Sequence, residues 1–248
     1  MKLKLDKVTL LGIDCVDPAK LQEVMNLCEE KITFAKSKLL TSKDVEDHRL
    51  IKIKEIASHE QYSQFCLSDL KDYVDTEFVL LVQWDGFILN PNSWTNEFLN
   101  YDYIGAPWVV KDWSINDFGF PENWRGRRVV GNGGFCIRSR KFLEVSAELF
   151  KSSEIPYFHP EDIAFSVWYR DLFIKRGIEF ADVELARRFA FEGGDDNYKD
   201  QFGFHGYYTN IDKWLIERPD QRKIFEMYSK YNNTKRKQWK PKHFPKIK

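Results

Sequence analysis

The sequence has little with which to bind metal through sulfur or to cross-link itself. Its four cysteines, Cys15, Cys28, Cys66 and Cys136, stand far apart with no Cys-x-x-Cys pair. That spacing argues against a zinc site and leaves buried free thiols in a reducing compartment as the expectation. No Gly-x-Gly-x-x-Gly follows the first apolar strand pattern, and no P-loop signature occurs anywhere. Neither a dinucleotide fingerprint nor a phosphate-cradling loop is therefore encoded. No apolar run approaches the roughly 20 residues that cross a bilayer, and no leader pattern is present, so the expected location is cytoplasmic.

Acids are also missing from one stretch. Residues 230–248 carry eight Lys or Arg and no Asp or Glu, leaving 38 acidic against 30 basic residues in the remainder. An acidic body argues against nucleic acid as the main partner. The basic tail, with Trp239 and Phe244 among its lysines, has the composition of a peripheral contact with an anionic membrane. It also has the composition of a disordered, solubilising end. The expected organisation is one domain over residues 1–229 followed by this tail.

What is present is a globular composition: 248 residues, 43% apolar and 31% charged, with 16% aromatic residues. Val8 to Ile13 reads as a strand ending at Asp14, and Asp17 with Pro18 opens a helix whose Leu21, Val24, Met25 and Cys28 share one face. Short strand patterns follow at 35–40 and 50–56. Ser58 and Gln61 then form a capping box ahead of a helix striped by Tyr62, Phe65, Leu70 and Tyr73. Phe78 to Val82 is a continuous apolar run, the pattern of a strand buried on both faces, and it delivers Asp85 onto a turn at Gly86. This alternation predicts an α/β fold with a mostly parallel sheet flanked by helices, in which Asp14 and Asp85 lie at the carboxyl edge where such sheets bind ligands. The stretch 94–128 reads as long ordered loops. Ser139 caps a helix reaching Lys151, Glu161 to Arg176 forms another, and Ile178 to Ala181 reads as a last short strand.

Five segments in order carry a family resemblance: LVQWDGFILNPNSW (81–94), FLNYDYIGAPW (98–108), VGNGGFCIRSRKFL (130–143), HPEDIAFS (159–166) and FGFHG (202–206). Across about residues 60 to 206 the chain resembles glycosyltransferases of the GT-A architecture. Within them it resembles a glycosyltransferase-like domain family associated with polysaccharide synthesis. The resemblance implies a single GT-A-like domain, with a Rossmann-like nucleotide half and an acceptor half. It also implies a nucleotide-sugar donor (a UDP-sugar favoured), a carbohydrate acceptor, and Mn²⁺ or Mg²⁺ at an acidic turn. Many GT-A members carry Asp-x-Asp there. This chain has Gln83-Trp84-Asp85, so only Asp85 carries over as a metal ligand, and a metal-independent enzyme stays open.

Each motif has a chemical and a plain reading. Asp85 suits a cation that neutralises a leaving diphosphate, or it simply closes the turn beside Gly86. Glu161 and Asp162 open a helix, where acids are common in any case. By resemblance Asp162 is the base that inverts the transferred sugar, with Glu161 orienting the acceptor. Asn132, Gly133 and Gly134 either admit a ligand close to the backbone or form an Asn-Gly hairpin. His205, in a glycine-flanked turn, is a second metal ligand by resemblance, or a structural histidine. Glu192 is a weaker active-site candidate. Arg128, with Arg125 and Arg127, could clamp phosphates or form a solvated cluster. Trp84 and Trp108, with Trp94, Tyr101 and Tyr103, could stack on sugars or pack the core. The competing functions are a catalytically silent carbohydrate- or nucleotide-binding module of the same fold and a nucleotidyltransferase. The segment Gly12-Ile13-Asp14-Cys15 lacks the glycine-rich basic loop that the latter needs.

Overall fold

The computed structural model describes residues 2–192, 196–206 and 212–219. The basic stretch 230–248 lies outside them, as does the suggested membrane contact. Strand β1 (Leu3–Ile13) is followed by α1 (Pro18–Glu29), β2 (Ile32–Thr41), β3 (Leu50–Lys52), α2 (His59–Ser68) and β4 (Phe78–Val82). These strands are mutually parallel, paired β3 to β2, β2 to β1 and β1 to β4. Strand β1 extends upstream of its apolar run because Leu3 to Leu5 pair with Ile32 to Phe34 beyond a register shift.

The second half brings β5 (Tyr103–Gly105), β6 (Pro107–Val109), α3 (Asp112–Phe118), β7 (Arg128–Val130), β8 (Phe135–Ser139) and α4 (Arg140–Lys151). Strand β8 runs antiparallel between β4 and β5, completing a six-stranded sheet in the order β3-β2-β1-β4-β8-β5. The chain is thus an α/β domain with a mostly parallel central sheet flanked by helices. Val79 to Val82 and Phe135 to Ile137 are buried, so β4 and β8 are covered on both faces and form the centre of the core. A second apolar cluster gathers Val110, Phe120, Val129, Ile163 and Trp168 around α3.

Local signals account for most boundaries. Pro18 sits in the first turn of α1. Ser139 Oγ accepts from Phe142 N at 3.0 Å to start α4, and Ser58 Oγ accepts from Gln61 N at 3.1 Å to start α2. The expected helix 161–176 is broken. Only Glu161–Ile163 is α-helical (α5), Ala164–Trp168 form a π-turn, and α6 (Arg170–Lys175) begins after Tyr169. The break is an i+5 closure, Tyr169 N to Ala164 O at 2.8 Å, in a segment buried throughout, where Trp168 Nε1 donates to Phe118 O at 2.8 Å. Helix α7 (Val183–Phe189) leads into β9 (Ala190–Glu192), which pairs in parallel with β10 (Gly203–His205). The strand expected at 178–181 is reduced to one bridge, between Tyr103 and Phe180. All four cysteines are free and buried. Among the described residues no helix is long and apolar enough to cross a membrane.

Candidate active site

At the carboxyl edge of β4 the chain makes a tight turn. Gln83 and Gly86 exchange backbone hydrogen bonds at 3.2 and 3.1 Å, which sets Trp84 and Asp85 at its tip. Asp85 is buried, and its carbonyl accepts from Gly206 N at 2.8 Å, tying the turn to the end of β10. That tie brings His205 to the acid: Nε2 stands 3.5 Å from Asp85 Oδ1 and 3.3 Å from Gln83 Oε1. Gln83 Nε2 in turn donates to Tyr62 Oη at 3.0 Å. The amide that replaces an acid here is therefore a fixed part of the network.

The other face of the imidazole is equally engaged. His205 Nδ1 lies 3.2 Å from Glu192 Oε2 and 2.8 Å from Asn132 Nδ2, and Asn132 Nδ2 donates to Glu192. Burial works against charge on His205, but the carboxylates of Glu192 and Asp85 outweigh it and hold the ring protonated well above its ordinary range.

Asn132 organises the loop between β7 and β8. Its φ is +75°, and Oδ1 accepts from Gly134 N at 2.9 Å and Phe135 N at 3.1 Å. The hairpin alternative fails here, because β7 pairs with β6 while β8 is taken by β4 and β5. The glycines serve close approach. A Cβ on Gly133 would meet Glu161 Oε1 at 2.5 Å, and one on Gly134 would meet His205 at 2.2 Å.

The acidic pair follows a cis His159–Pro160 bond and splits into two environments. Asp162 is half-buried; its Oδ2 accepts from Gly133 N at 3.1 Å and Oδ1 from Ile163 N at 2.9 Å. Burial, then the neighbouring Glu161 charge, raises its carboxyl to about 7, against the pull of those N–H groups and His205. Glu161 faces inward, with only 7% of its side chain exposed. Its Oε1 stands 3.5 Å from Arg138 Nη2, and its Oε2 accepts from Ser63 Oγ at 3.0 Å. The acceptor-orienting role expected of Glu161 does not fit this position, because the carboxylate is spent on interior partners.

The remaining candidates fall at graded distances from this network. Asp14 closes β1, beside β4, and its Oδ1 accepts from Val16 N at 2.7 Å and Asp17 N at 2.9 Å, shaping the entry to α1. Trp84 is half-buried with Lys20 Nζ 5.8 Å from its ring centre. Trp108 packs against Gly131 and lies 6.1 Å from Phe120, in the second apolar cluster. Arg128 is held bidentately by Asp196, at 2.6 and 3.1 Å, and Arg125 pairs with Glu122 and Asp112. Those two arginines thus have carboxylate partners within the chain. Trp94 stacks edge-on to Phe98 and Phe202, and Tyr103 is fully buried. The participants missed in sequence are Ser63, Arg138 and Tyr62, the last read only as part of a helix stripe. Only Arg138 carried a signal: a charge in a strand buried on both faces needs a counter-ion.

Asp85 and His205 offer an oxygen and a nitrogen donor close together at the sheet edge, a set that suits Mn²⁺ better than Mg²⁺. Among the described residues no group of three or more His, Cys, Asp or Glu takes up metal-ligand spacing. To ligate, His205 must also lose the proton that Glu192 and Asp85 hold on it and give up one of its present partners.

The chain belongs to the family described as protein of unknown function DUF5672, whose profile matches residues 46–205. No curated protein sequence matches the chain. Among solved structures it is similar to the galactosyltransferase LgtC in complex with donor and acceptor sugar analogs, at 13% identity. That alignment covers 93% of this chain and 98% of that one, with a TM-score of 0.47. It is also similar to a glycosyltransferase involved in the glycosylation of the major capsid of PBCV-1 (16% identity, 86% and 98% covered, TM-score 0.46). A third is glucosyl-3-phosphoglycerate synthase from Mycobacterium tuberculosis (10% identity, 64% and 67% covered, TM-score 0.35). At those scores the likeness carries no information on substrate or mechanism.

Proposed function

We propose that this chain is a GT-A-type glycosyltransferase that moves a sugar from a nucleotide-diphosphate donor, a UDP-sugar foremost, to a carbohydrate hydroxyl with inversion. One observation carries the reading. Residues from separate segments, Gln83 and Asp85, Asn132 to Gly134, Asp162, and His205, meet in one hydrogen-bonded constellation at the carboxyl edge of the sheet. Such an edge is where open α/β sheets take their ligands.

Asp162 is the proton acceptor. It is half-exposed, anchored by Gly133 N–H, and poised near neutral pH, where a base best combines the right charge with proton-accepting power. As the acceptor oxygen bonds to the anomeric carbon, its proton passes to Asp162 Oδ and the diphosphate departs from the opposite face. Asp85 and His205 are the residues to hold Mn²⁺ or Mg²⁺, and a cation bound there would offset the charge on the departing diphosphate. Asp14 and Trp84 border the donor side of the edge, next to β1.

The test is a thermal-shift panel of UDP, GDP, CDP and UDP-sugars with and without Mn²⁺. A nucleotide at about 100 times its Kd raises stability by about 2.7 kcal/mol. A metal-dependent shift that Asp85→Ala abolishes supports the reading; no shift with any nucleotide under either condition overturns it.

A further inference from the structure

Arg138 is a charge with no surface outlet. It lies on β8 with 0% of its side chain exposed, its guanidinium 5.0 Å from the ring centre of Phe165 and 5.6 Å from that of Phe142. Nη1 donates to Cys66 O at 3.3 Å, while Nε and Nη2 have no hydrogen-bond partner. A buried guanidinium is tolerated only beside an anion. The anion paired with it is Glu161, 3.5 Å away.

Glu161 is fixed from its other side too. Ser63 Oγ donates to Glu161 Oε2 and accepts from Glu161 N at 3.2 Å, and it lies 2.7 Å from His159 Nδ1. Ser63 on one side and the Arg138 guanidinium on the other thus enclose the carboxylate in the interior. This carboxylate lies directly under Gly133, close enough that no Cβ fits between them, and Gly133 N–H is what holds Asp162.

We propose that Arg138 and Glu161 are positioning residues: a buried ion pair that fixes one negative charge behind Gly133, on the far side of the backbone N–H that holds Asp162. This deepens the reading of Asp162 as base and rests on it. Two acids in one loop are thereby given different tasks by their surroundings. The other groups facing Asp162 do not reverse this. His205 on β10 carries positive charge and pulls the other way, while Cys136 on β8 and Tyr103 on β5 are both buried and raised, hence neutral.

The test needs no turnover, so it fails or succeeds separately from the transferase reading. The full chain is labelled with ¹³C at the Asp side-chain carboxyl, and the Asp162 signal is assigned by its loss in Asp162→Asn. Its titration midpoint is expected near 7 in the wild type. Glu161→Gln removes the fixed anion and leaves the guanidinium unopposed, so the midpoint falls by about one unit or more. Adding Arg138→Met to that variant removes the unopposed cation, and the midpoint rises again while staying below the wild type. A merely structural pair would alter stability and leave the midpoint in place. A fall of less than one unit in Glu161→Gln overturns the proposal. Should that variant not fold, a double variant (R138M/E161Q) titrating at or above the wild-type midpoint overturns it instead.

Discussion

Gly133 donates its backbone N–H to Asp162 Oδ2 at 3.1 Å, which joins the loop after β7 to the turn that opens α5. The contact fixes a half-exposed carboxylate over a glycine loop. It also orients that carboxylate without neutralising it, because an N–H donor supplies a dipole and no proton.

Replacing Asp162 by Asn keeps this hydrogen bond through the side-chain oxygen and removes the proton acceptor. Transfer should fall by about 10²- to 10⁴-fold, the usual contribution of a general base. Nucleotide affinity, measured by calorimetry, should stay within a factor of a few. A parallel loss of binding and rate would make Asp162 a structural residue.

The pH dependence follows from the raised carboxyl. Asp162 must be ionised to accept a proton, so kcat/KM should rise tenfold per pH unit below about 7 and level off above it. The stability sign is the reverse. The folded state holds this proton more tightly than the unfolded chain, so the ionised form costs stability as pH rises from the ordinary carboxylate range to about 7. Asp162→Asn should therefore melt above the wild type at pH 8, with the difference vanishing near pH 4. Equal melting temperatures at both pH values would contradict the assignment.

Gly134→Ala places a Cβ 2.2 Å from the His205 ring and 2.7 Å from Gln83 Oε1. Overpacking of this kind costs about 1–3 kcal/mol. Because His205 is the group that must move, metal-dependent nucleotide stabilisation should be lost in that variant. The readout is the difference in melting temperature with and without Mn²⁺.

Away from the site, Arg49 ties the N-terminal half together. Its Nε and Nη2 hold Asp47 at 2.8 and 2.6 Å, and Nη1 reaches Glu29 of α1 at 2.7 Å. These hydrogen bonds, opposed by burial, draw the Asp47 carboxyl down to about 2. The stability it gives is complete above the ordinary carboxylate value and is lost as pH falls through about 2. Arg49→Ala leaves two carboxylates unpaired and should cost about 3–5 kcal/mol in urea unfolding.

The sequence made the sheet edge legible because its signals there are local. Five consecutive apolar residues before Asp85 mark a doubly covered strand, and a proline in the first turn marks α1. The site proper is made of distant partners that no local period encodes. Ser63 meets Glu161 across 98 positions, and Gln83 meets His205 across 122. His205 was expected in a turn; it ends a three-residue strand too short to show alternation. The glycine loop carries a hairpin dipeptide, yet β8 had already been claimed by two other strands. Resemblance pointed to the acidic pair, and only the fold separates its members, sending Glu161 inward to Arg138 and leaving Asp162 half-buried beside Gly133.

The most direct measurement of the central claim is release of nucleoside diphosphate from a panel of nucleotide sugars, with glycan acceptors and Mn²⁺ present, comparing the wild type with Asp162→Asn. The account predicts turnover of one donor class, rising with pH up to about 7 and reduced at least about 100-fold in the variant. Binding of a nucleotide sugar with no turnover of any donor, or turnover that survives Asp162→Asn undiminished, would contradict it.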